Sequence, residues 1–346
     1  MGNAWAKAKQ TSESKEAKDD APVAKSHMEH YRSLYKRDRT HQAVIRMSAV
    51  GKENTAKTGF CVSRMRDYLG PDKEIIILDF DGSAGSTIAF NFPTDENIRV
   101  IPLFDELDSS IFHEDNTTNW TALVDKVSYF LSCIGEDIQE GAPIGGVLMD
   151  GCSTFLKWCE FAMTDILMNR SKNPINVEDG DRFNQAEWRT RNKLFRDAMG
   201  RAHKLPIPAV CYTFHLKDVK EFMDIGDGKK GLMKVGEVPE WENGTKRLFA
   251  QQIFLARYTK KGDSASGVKA DPSLDEGEWV IRATIEEMKG YHMDHLGETH
   301  DLLKVKDGKA TWLDLPFLVW NKDKLRKKAE SKAKAEKVDA VEDDKA

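Results

Sequence analysis

Five short apolar runs between residues 43 and 213 narrow the folds open to this chain more than anything else in it. They occupy 43–50, 74–79, 98–103, 145–150 and 208–213. The second, Glu74-Ile75-Ile76-Ile77-Leu78-Asp79, is nearly unbroken and β-branched, the mark of a strand covered on both faces. Most intervals between the runs place apolar residues at helical spacing: 57–69 (stopped by Gly70-Pro71), 118–134, 153–168 and 185–203. Buried strands alternating with helices predict a mostly parallel α/β sheet. From about residue 247 the spacers shorten, and the runs 248–258, 278–286 and 302–306 are expected to extend the same sheet.

Composition sets the outer limits. The chain has 346 residues, 40% of them hydrophobic, enough for a real core. No stretch approaches the roughly 18 uninterrupted apolar residues of a membrane helix. The opening Met1-Gly2-Asn3-Ala4-Trp5-Ala6-Lys7 has no apolar run after its basic residues, which argues against a secretory signal. It also lacks the Ser or Thr at position six that favours myristoylation. With 52 basic against 57 acidic residues the net charge is -5, which excludes a uniformly basic coat but leaves room for a local basic patch. Five cysteines (Cys61, Cys133, Cys152, Cys159, Cys211) form no C-x-x-C pair, so neither a zinc site nor a disulfide framework is expected. Reduced thiols point to a cytoplasmic protein, in a host's cytoplasm if the chain is viral. The sequons at Asn116, Asn119 and Asn243 would be silent there. Residues 1–40 read as a polar, flexible leader, and 321–346 as a charged tail that is loose or a solvated helix. The domain between them is expected to span 41–320.

The first run leads into Gly51-Lys52-Glu53-Asn54-Thr55-Ala56-Lys57-Thr58-Gly59. This follows the phosphate-loop pattern G-x-x-x-x-G-K-[ST], with Ala56 in place of the second glycine. The pattern has a mechanism. Successive backbone N–H groups point inward around the β-phosphate, and the loop runs into a helix whose positive end faces the anion. Lys57 would bridge the β- and γ-phosphates, and Thr58 would offer its hydroxyl to Mg²⁺. Ala56 adds a Cβ where the backbone is tight, the smallest possible change, and is expected to be tolerated.

Three further elements close apolar runs. Asp150 ends the fourth, where a carboxylate can hold the metal of a phosphate site; the plainer reading is a cap for the next helix, beside Ser153 and Thr154. Asp81, in Leu78-Asp79-Phe80-Asp81-Gly82, can polarise a water in line with the γ-phosphate, with Asp79 in reserve; Asp-Gly is also a common turn. Thr213 and His215 end the fifth run as possible phosphate sensors, although a lone histidine is more often structural or exposed.

Taken together, Gly51…Lys57-Thr58, Leu78-Asp79-Phe80-Asp81, Val147-Leu148-Met149-Asp150 and Thr213-Phe214-His215 resemble the RecA-like P-loop ATPases. The resemblance runs closest to the phage and archaeal-virus ATPases associated with single-strand annealing and recombination, over roughly 41–290. It implies a three-layer α/β P-loop NTPase fold with a mostly parallel RecA-like sheet. It also implies Mg-dependent ATP hydrolysis coupled to DNA recombination, replication or repair, and assembly into a ring or filament. In that group an acidic residue ending the second strand acts on the attacking water, which points to Asp81, an Asp where Glu is usual. A basic residue on a late strand commonly reaches the neighbouring subunit's nucleotide, which points to Lys289 or else Arg282; Lys289 can equally be a solvated strand end. The DNA-facing loops would be 169–184 (Arg170, Lys172, Arg182) and 216–246 (Lys217, Lys220, Lys229, Lys230, Lys234). Tyr212, Phe222 and Trp241 are possible platforms for bases of single-stranded DNA. Acidic residues offset the second loop, so a solvated loop is the plain alternative. Two other functions fit the motif: a nucleotide kinase, and a nucleotide-binding scaffold of a replication or virion complex.

Overall fold

The computed structural model describes residues 44–170, 174, 182–224, 230–264, 266–288 and 296–313. The expected leader and tail, together with Lys172, Lys229 and Lys289, lie outside these residues. Strand β1 (Ile45–Gly51) is buried along its whole length. The phosphate-loop segment follows, and then helix α1 (Lys57–Leu69), ended by Gly70 as its spacing predicts. Next come β2 (Glu74–Asp79), α2 (Ala84–Asn91), β3 (Ile98–Pro102), α3 (Trp120–Gln139), β4 (Ile144–Asp150), α4 (Cys152–Met168) and α5 (Trp188–Lys204). β5 (Ala209–Asp224) and β6 (Lys230–Pro239) are followed by β7 (Gln251–Thr259), β8 (Lys269–Ala270), β9 (Trp279–Met288), β10 (Thr299–Lys306) and β11 (Lys309–Trp312).

The strands form one sheet in the order β11-β10-β9-β7-β1-β5-β4-β2-β3, with β6 paired to β5 and β8 to β7. The stretch from β7 to β3 is parallel, and β9, β10 and β11 add an antiparallel wing. Helices α1 and α2 cover one face, packing Phe60, Cys61, Met65 and Ile88 against Met47, Ile77 and Leu148. Helices α3, α4 and α5 cover the other, packing Leu131, Phe155 and Phe195 against Val147, Val210 and Phe214. This is a three-layer α/β fold with a mostly parallel sheet. Its continuous apolar strands follow from the two covered faces, and each fully buried Ile or Leu contributes about 1.5–3 kcal/mol. Among the described residues no helix is long and apolar enough to cross a membrane.

The chain departs from expectation at three places. Helix α2 was not legible: eight residues, Ala-Gly-Ser-Thr-Ile-Ala-Phe-Asn, bury only Ala84 and Ile88, too few for a period. The expected DNA-facing loop at 216–246 is instead largely a two-stranded hairpin. β5 continues past the sheet to Asp224 and pairs antiparallel with β6 from Leu216–Pro239 to Asp224–Lys230. Its alternation of charged and apolar side chains suits a ribbon wet on both sides, which reads as a polar loop when no face is buried. Finally, Tyr212 is fully buried and cannot stack a base, and the half-buried Trp241 packs edge-on to Phe214 at 5.2 Å.

One buried cation holds the junction before β5. Arg46, 8% exposed, donates from Nη1 and Nη2 to the Ile207 carbonyl, from Nη2 to Leu205, from Nε to His203 and from Nη1 to Ile45. It thereby satisfies carbonyls that the end of α5 leaves without helical partners. Replacing Arg46 with Met preserves length but orphans these acceptors, and is expected to cost about 2–4 kcal/mol. Arg99→Met, which breaks the exposed pair with Glu74, should cost less than about 1 kcal/mol. Urea unfolding of the two variants checks the difference.

Candidate nucleotide site

The strand order brings the carboxyl ends of β1, β5, β4 and β2 to one edge. Registry sets the side chains: Gly51 lies opposite His215, and Asp79 opposite Asp150. Between these ends and α1 opens a cleft of about 890 Å³. Its walls include Lys52 to Thr58, Asp81, Asp150, Thr213 and His215. The residues singled out in the sequence thus converge, with Gly51 and Gly59 set behind the wall. A Cβ at Gly51 would run into the Thr55 hydroxyl and the Leu255 carbonyl, so the turn requires glycine there. Gly59 is buried under Trp312.

Helix α1 begins at Lys57 with no side-chain cap and no acidic residue in its first turn, which leaves its leading N–H groups aimed into the cleft. Lys57 folds back and donates to the carbonyls of Lys52 (2.7 Å) and Gly51 (3.2 Å). Burial lowers its pKa to about 8, working against the pull of Asp150 and Asp81. The expected steric problem at Ala56 proves to be a backbone one: Ala56 sits at φ 59°, in the left-handed region, where a Cβ costs about 1–2 kcal/mol.

Asp150 is 2% exposed, and its partners are hydroxyls. Thr58 Oγ1 donates to it at 2.9 Å and Thr213 Oγ1 at 2.6 Å, while Thr213 Oγ1 accepts the Gly151 N–H at 2.7 Å. Burial raises its pKa to about 6 despite these bonds, and Asp81 and Asp79 add to the rise. A helix-capping role is therefore not what Asp150 does: Thr58, from the far side of the cleft, takes its oxygens. Carboxylate oxygens of Asp79, Asp81 and Asp150 lie within 4.8 Å of one another. These hard oxygens, with the Thr58 hydroxyl, fit a divalent cation such as Mg²⁺, because three carboxylates share one small space and Asp150 has no ion-pair partner among the described residues.

The two acids ending β2 have separate duties. Asp79 accepts the N–H groups of Gly82 (2.9 Å) and Ala84 (3.0 Å), fixing the turn into α2. Asp81 faces the cleft. Burial opposes its ionisation, but His215 and Ser83 outweigh this and hold it at about 2. His215 Nε2 lies 3.7 Å from Asp81 Oδ2. Gly151, at φ 86°, lets Asp81 in: a Cβ would stand 3.0 Å from Asp81 Oδ2. Thr213 and His215 thus touch the carboxylates, Thr213 on Asp150 and His215 on Asp81.

Sequence reasoning missed the outer wall. Ser83, Ser86 and Thr87 come from the turn and helix that were not legible. Ser264, Ser266 and Gly267 come from the β7–β8 connection, whose only signal was its Gly/Ser content. It also missed a four-charge cluster joining the loop to the hairpin root. Lys52 Nζ meets Asp218 at 2.7 Å and Glu237 at 3.4 Å, and Lys234 Nζ meets the same carboxylates at 3.0 and 2.5 Å. Hydrogen bonds from Lys52 and Lys234 keep Asp218 at about 2. Lys234, expected on a DNA surface, is thus already neutralised. So is Arg282, the alternate for a neighbour's site: it binds Asp271 and Asp301 at 2.6 Å each and lies over the Tyr258 ring at 4.6 Å.

Two outcomes follow from this geometry. Ala56→Gly should raise stability by about 1 kcal/mol, read as a shift in the urea midpoint. The Asp150 carboxyl has a folded pKa raised above its unfolded value, so its ionisation destabilises the fold as pH rises from about 4 to 6. Asp150→Asn should remove that loss, stabilising the protein at pH 7.5 by on the order of 1–2 kcal/mol while abolishing stabilisation by added Mg²⁺. Melting curves at pH 4.5 and 7.5, with and without Mg²⁺, check both.

No protein-family model matches the chain, and no curated protein matches it. Among solved structures, a KaiC-like protein from the hyperthermophilic archaeon Pyrococcus horikoshii OT3 is similar at 8% identity and a TM-score of 0.41, covering 79% of this chain and 91% of that one. At that distance the likeness assigns no activity.

Proposed function

We propose that the protein binds ATP with Mg²⁺ and hydrolyses it, coupled to DNA recombination, replication or repair on single-stranded DNA. The observation that carries the nucleotide reading is the meeting of Lys57, Thr58 and a buried Asp150 at the uncapped start of α1. The triphosphate would draw Lys57 off its carbonyl partners, because a phosphate is the stronger acceptor for an ammonium. The free N–H groups of the loop would take the β-phosphate oxygens. Thr58 and Asp150 would hold Mg²⁺, which supplies charge neutralisation at the phosphate oxygens when bound.

Asp81 orients the attacking water by accepting its proton in a hydrogen bond. Held near 2, it is a weak base, so it positions the water rather than deprotonating it before attack. The water oxygen bonds to the γ-phosphorus as the bridge to the β-phosphate breaks, leaving ADP and phosphate, and the water proton passes to phosphate oxygen. His215, against Asp81 and at the root of the β5–β6 hairpin, links the state of that carboxylate to the hairpin. The DNA part of the reading rests on the hairpin beyond the cleft, with Phe222 73% exposed and Lys217 and Lys220 in solvent. The described cations lining the cleft are all lysines (Lys52, Lys57, Lys157 and Lys234), which suits a site completed by a neighbour in a ring or filament.

Lys57→Ala should weaken ATP binding at least tenfold, whereas Asp81→Asn should keep binding and lose turnover by about 100-fold or more. In the unaltered protein, binding should weaken above pH 8 as Lys57 loses its proton. Titration calorimetry and phosphate release, with and without an oligo-dT strand, measure these. Unchanged affinity in Lys57→Ala removes the phosphate loop. Binding without turnover under any DNA condition makes the protein a scaffold, and phosphate transfer to a nucleoside monophosphate makes it a kinase.

A further inference from the structure

Helix α5 is the most basic surface element among the described residues. Its seventeen residues carry Arg189, Arg191, Lys193, Arg196, Arg201 and Lys204 against a lone acid, Asp197, in a chain whose net charge is -5. One side is fully committed to the core through Phe195, Ala198, Met199 and Ala202. On the other, Arg189, Lys193, Arg196 and Lys204 recur at intervals of three, four and eight, so they share one face. All four are exposed. The stripe runs about 22 Å from Arg189 to Lys204.

The protein's own carboxylates answer little of this charge. Arg191 lies 3.5 Å from Glu160 and stacks on Trp188 at 4.7 Å, and Arg196 lies 3.4 Å from Glu242. Among the described residues Arg189, Lys193, Arg201 and Lys204 form no ion pair. The hairpin lysines present the opposite case, since Lys234 is neutralised by Asp218 and Glu237.

The first half of the arrangement works against the helix, whereas Arg201 and Lys204 in the last turn suit its negative end. Arg189 and Arg191 stand in the first turn, which holds no acid, so two cations face the positive end of the macrodipole. Arg189 and Lys193 repel at i,i+4, as Lys193 and Arg196 do at i,i+3, by a few tenths of a kcal/mol each. Exposed charge of one sign that stays largely unanswered, part of it at the unfavourable end of its own helix, marks a surface shaped for something other than folding.

We infer that the exposed face of α5 is a nucleic-acid surface that tracks a phosphate backbone without reading sequence. The inference rests on the proposed DNA-coupled function for its choice among polyanions, and moves the main contact from the hairpin to this helix. Arginine's planar fork suits phosphate oxygens, and side chains spaced by about 5–6 Å along a helix can meet successive phosphates. An anionic membrane is a poorer fit, because the apolar face such a helix would insert is buried against α4 and the sheet.

The test is fluorescence anisotropy of the full chain, without nucleotide, on a labelled 30-mer of dT and a 30-base-pair duplex at 50 to 200 mM NaCl. The triple variant Arg189→Glu, Lys193→Glu, Lys204→Glu should bind the preferred form at least tenfold more weakly. Its plot of log affinity against log salt should flatten by about 2–3, at 0.7–0.9 per lost contact. Arg189→Lys, Lys193→Arg should restore neither loss nor gain, binding as the unaltered protein does. Should the triple variant fold poorly, Lys193→Glu alone should still flatten the slope by about 0.7–0.9.

The inference is overturned if the unaltered protein binds neither nucleic acid, or if the triple variant keeps its affinity and salt slope. It is equally overturned if Lys217→Glu, Lys220→Glu on the hairpin abolishes binding while the α5 variants do not, or if only anionic vesicles or acidic peptides are bound. Lys57→Ala separates the two proposals. If it loses ATP but binds DNA normally, the phosphate loop and the α5 surface both stand; if the unaltered protein binds ATP but no DNA, the α5 surface and the DNA part of the proposed function fall while the nucleotide site stands.

Discussion

A buried carboxylate held by hydroxyls rather than by an ion pair organises the centre of this protein. Asp150 is tolerable at 2% exposure because hydroxyls from two other elements converge on it, Thr58 at the head of α1 and Thr213 on β5. That convergence needs β5 to lie between β1 and β4, and it needs α1 to return across the sheet so that its first turn faces the end of β4. The cost of keeping the charge dry appears in its raised pKa. The same geometry makes the charge useful, because a desolvated carboxylate held by neutral donors is poised for a hard cation.

Around that centre, polar groups are divided between holding shape and facing the cleft. Asp79 spends both oxygens on the turn into α2, while Asp81, two residues on, is left to the cleft and to His215. Ser153 accepts the His215 N–H and donates to the Glu240 carbonyl, which ties β5 to the far foot of the hairpin. Lys52 reaches out of the phosphate loop to Asp218 and Glu237. The loop that would hold phosphate and the hairpin beyond it are therefore joined twice, through Lys52 and through His215. A polyphosphate competing for Lys52 would perturb the hairpin root directly, with no long chain of intermediaries.

Legibility followed burial. The strands at 74–79 and 144–150 and helix α1 match their predicted limits closely, because each presents a continuous or periodic apolar pattern to a covered face; the edge strand at 98–102, none of whose residues is fully buried, is marked by its Ile-Arg-Val-Ile run. Helix α2 buries two side chains and left no such trace. The hairpin is wet on both faces, so its alternation of lysine, acid and aliphatic reads as a polar loop. Among site residues, Lys57, Thr58 and Asp150 were legible because their spacing and their places at strand and helix ends carry the chemistry. The duties of Asp79 and Asp81 were not separable in sequence, since which carboxylate caps a turn depends on where the following backbone N–H groups point.

The alternation of buried strands with helices, and the phosphate-type loop after the first strand, are written in the order of the residues alone, because periodicity and a fixed local spacing encode both. Which charges are already answered emerges with the folded arrangement. Lys234 and Arg282 meet carboxylates brought from other strands, while the exposed cations of α5 meet few. The physical reason is range. Helical and strand patterns are local properties of neighbouring residues, whereas the partner of a charge is set by which distant segment the sheet order lays beside it.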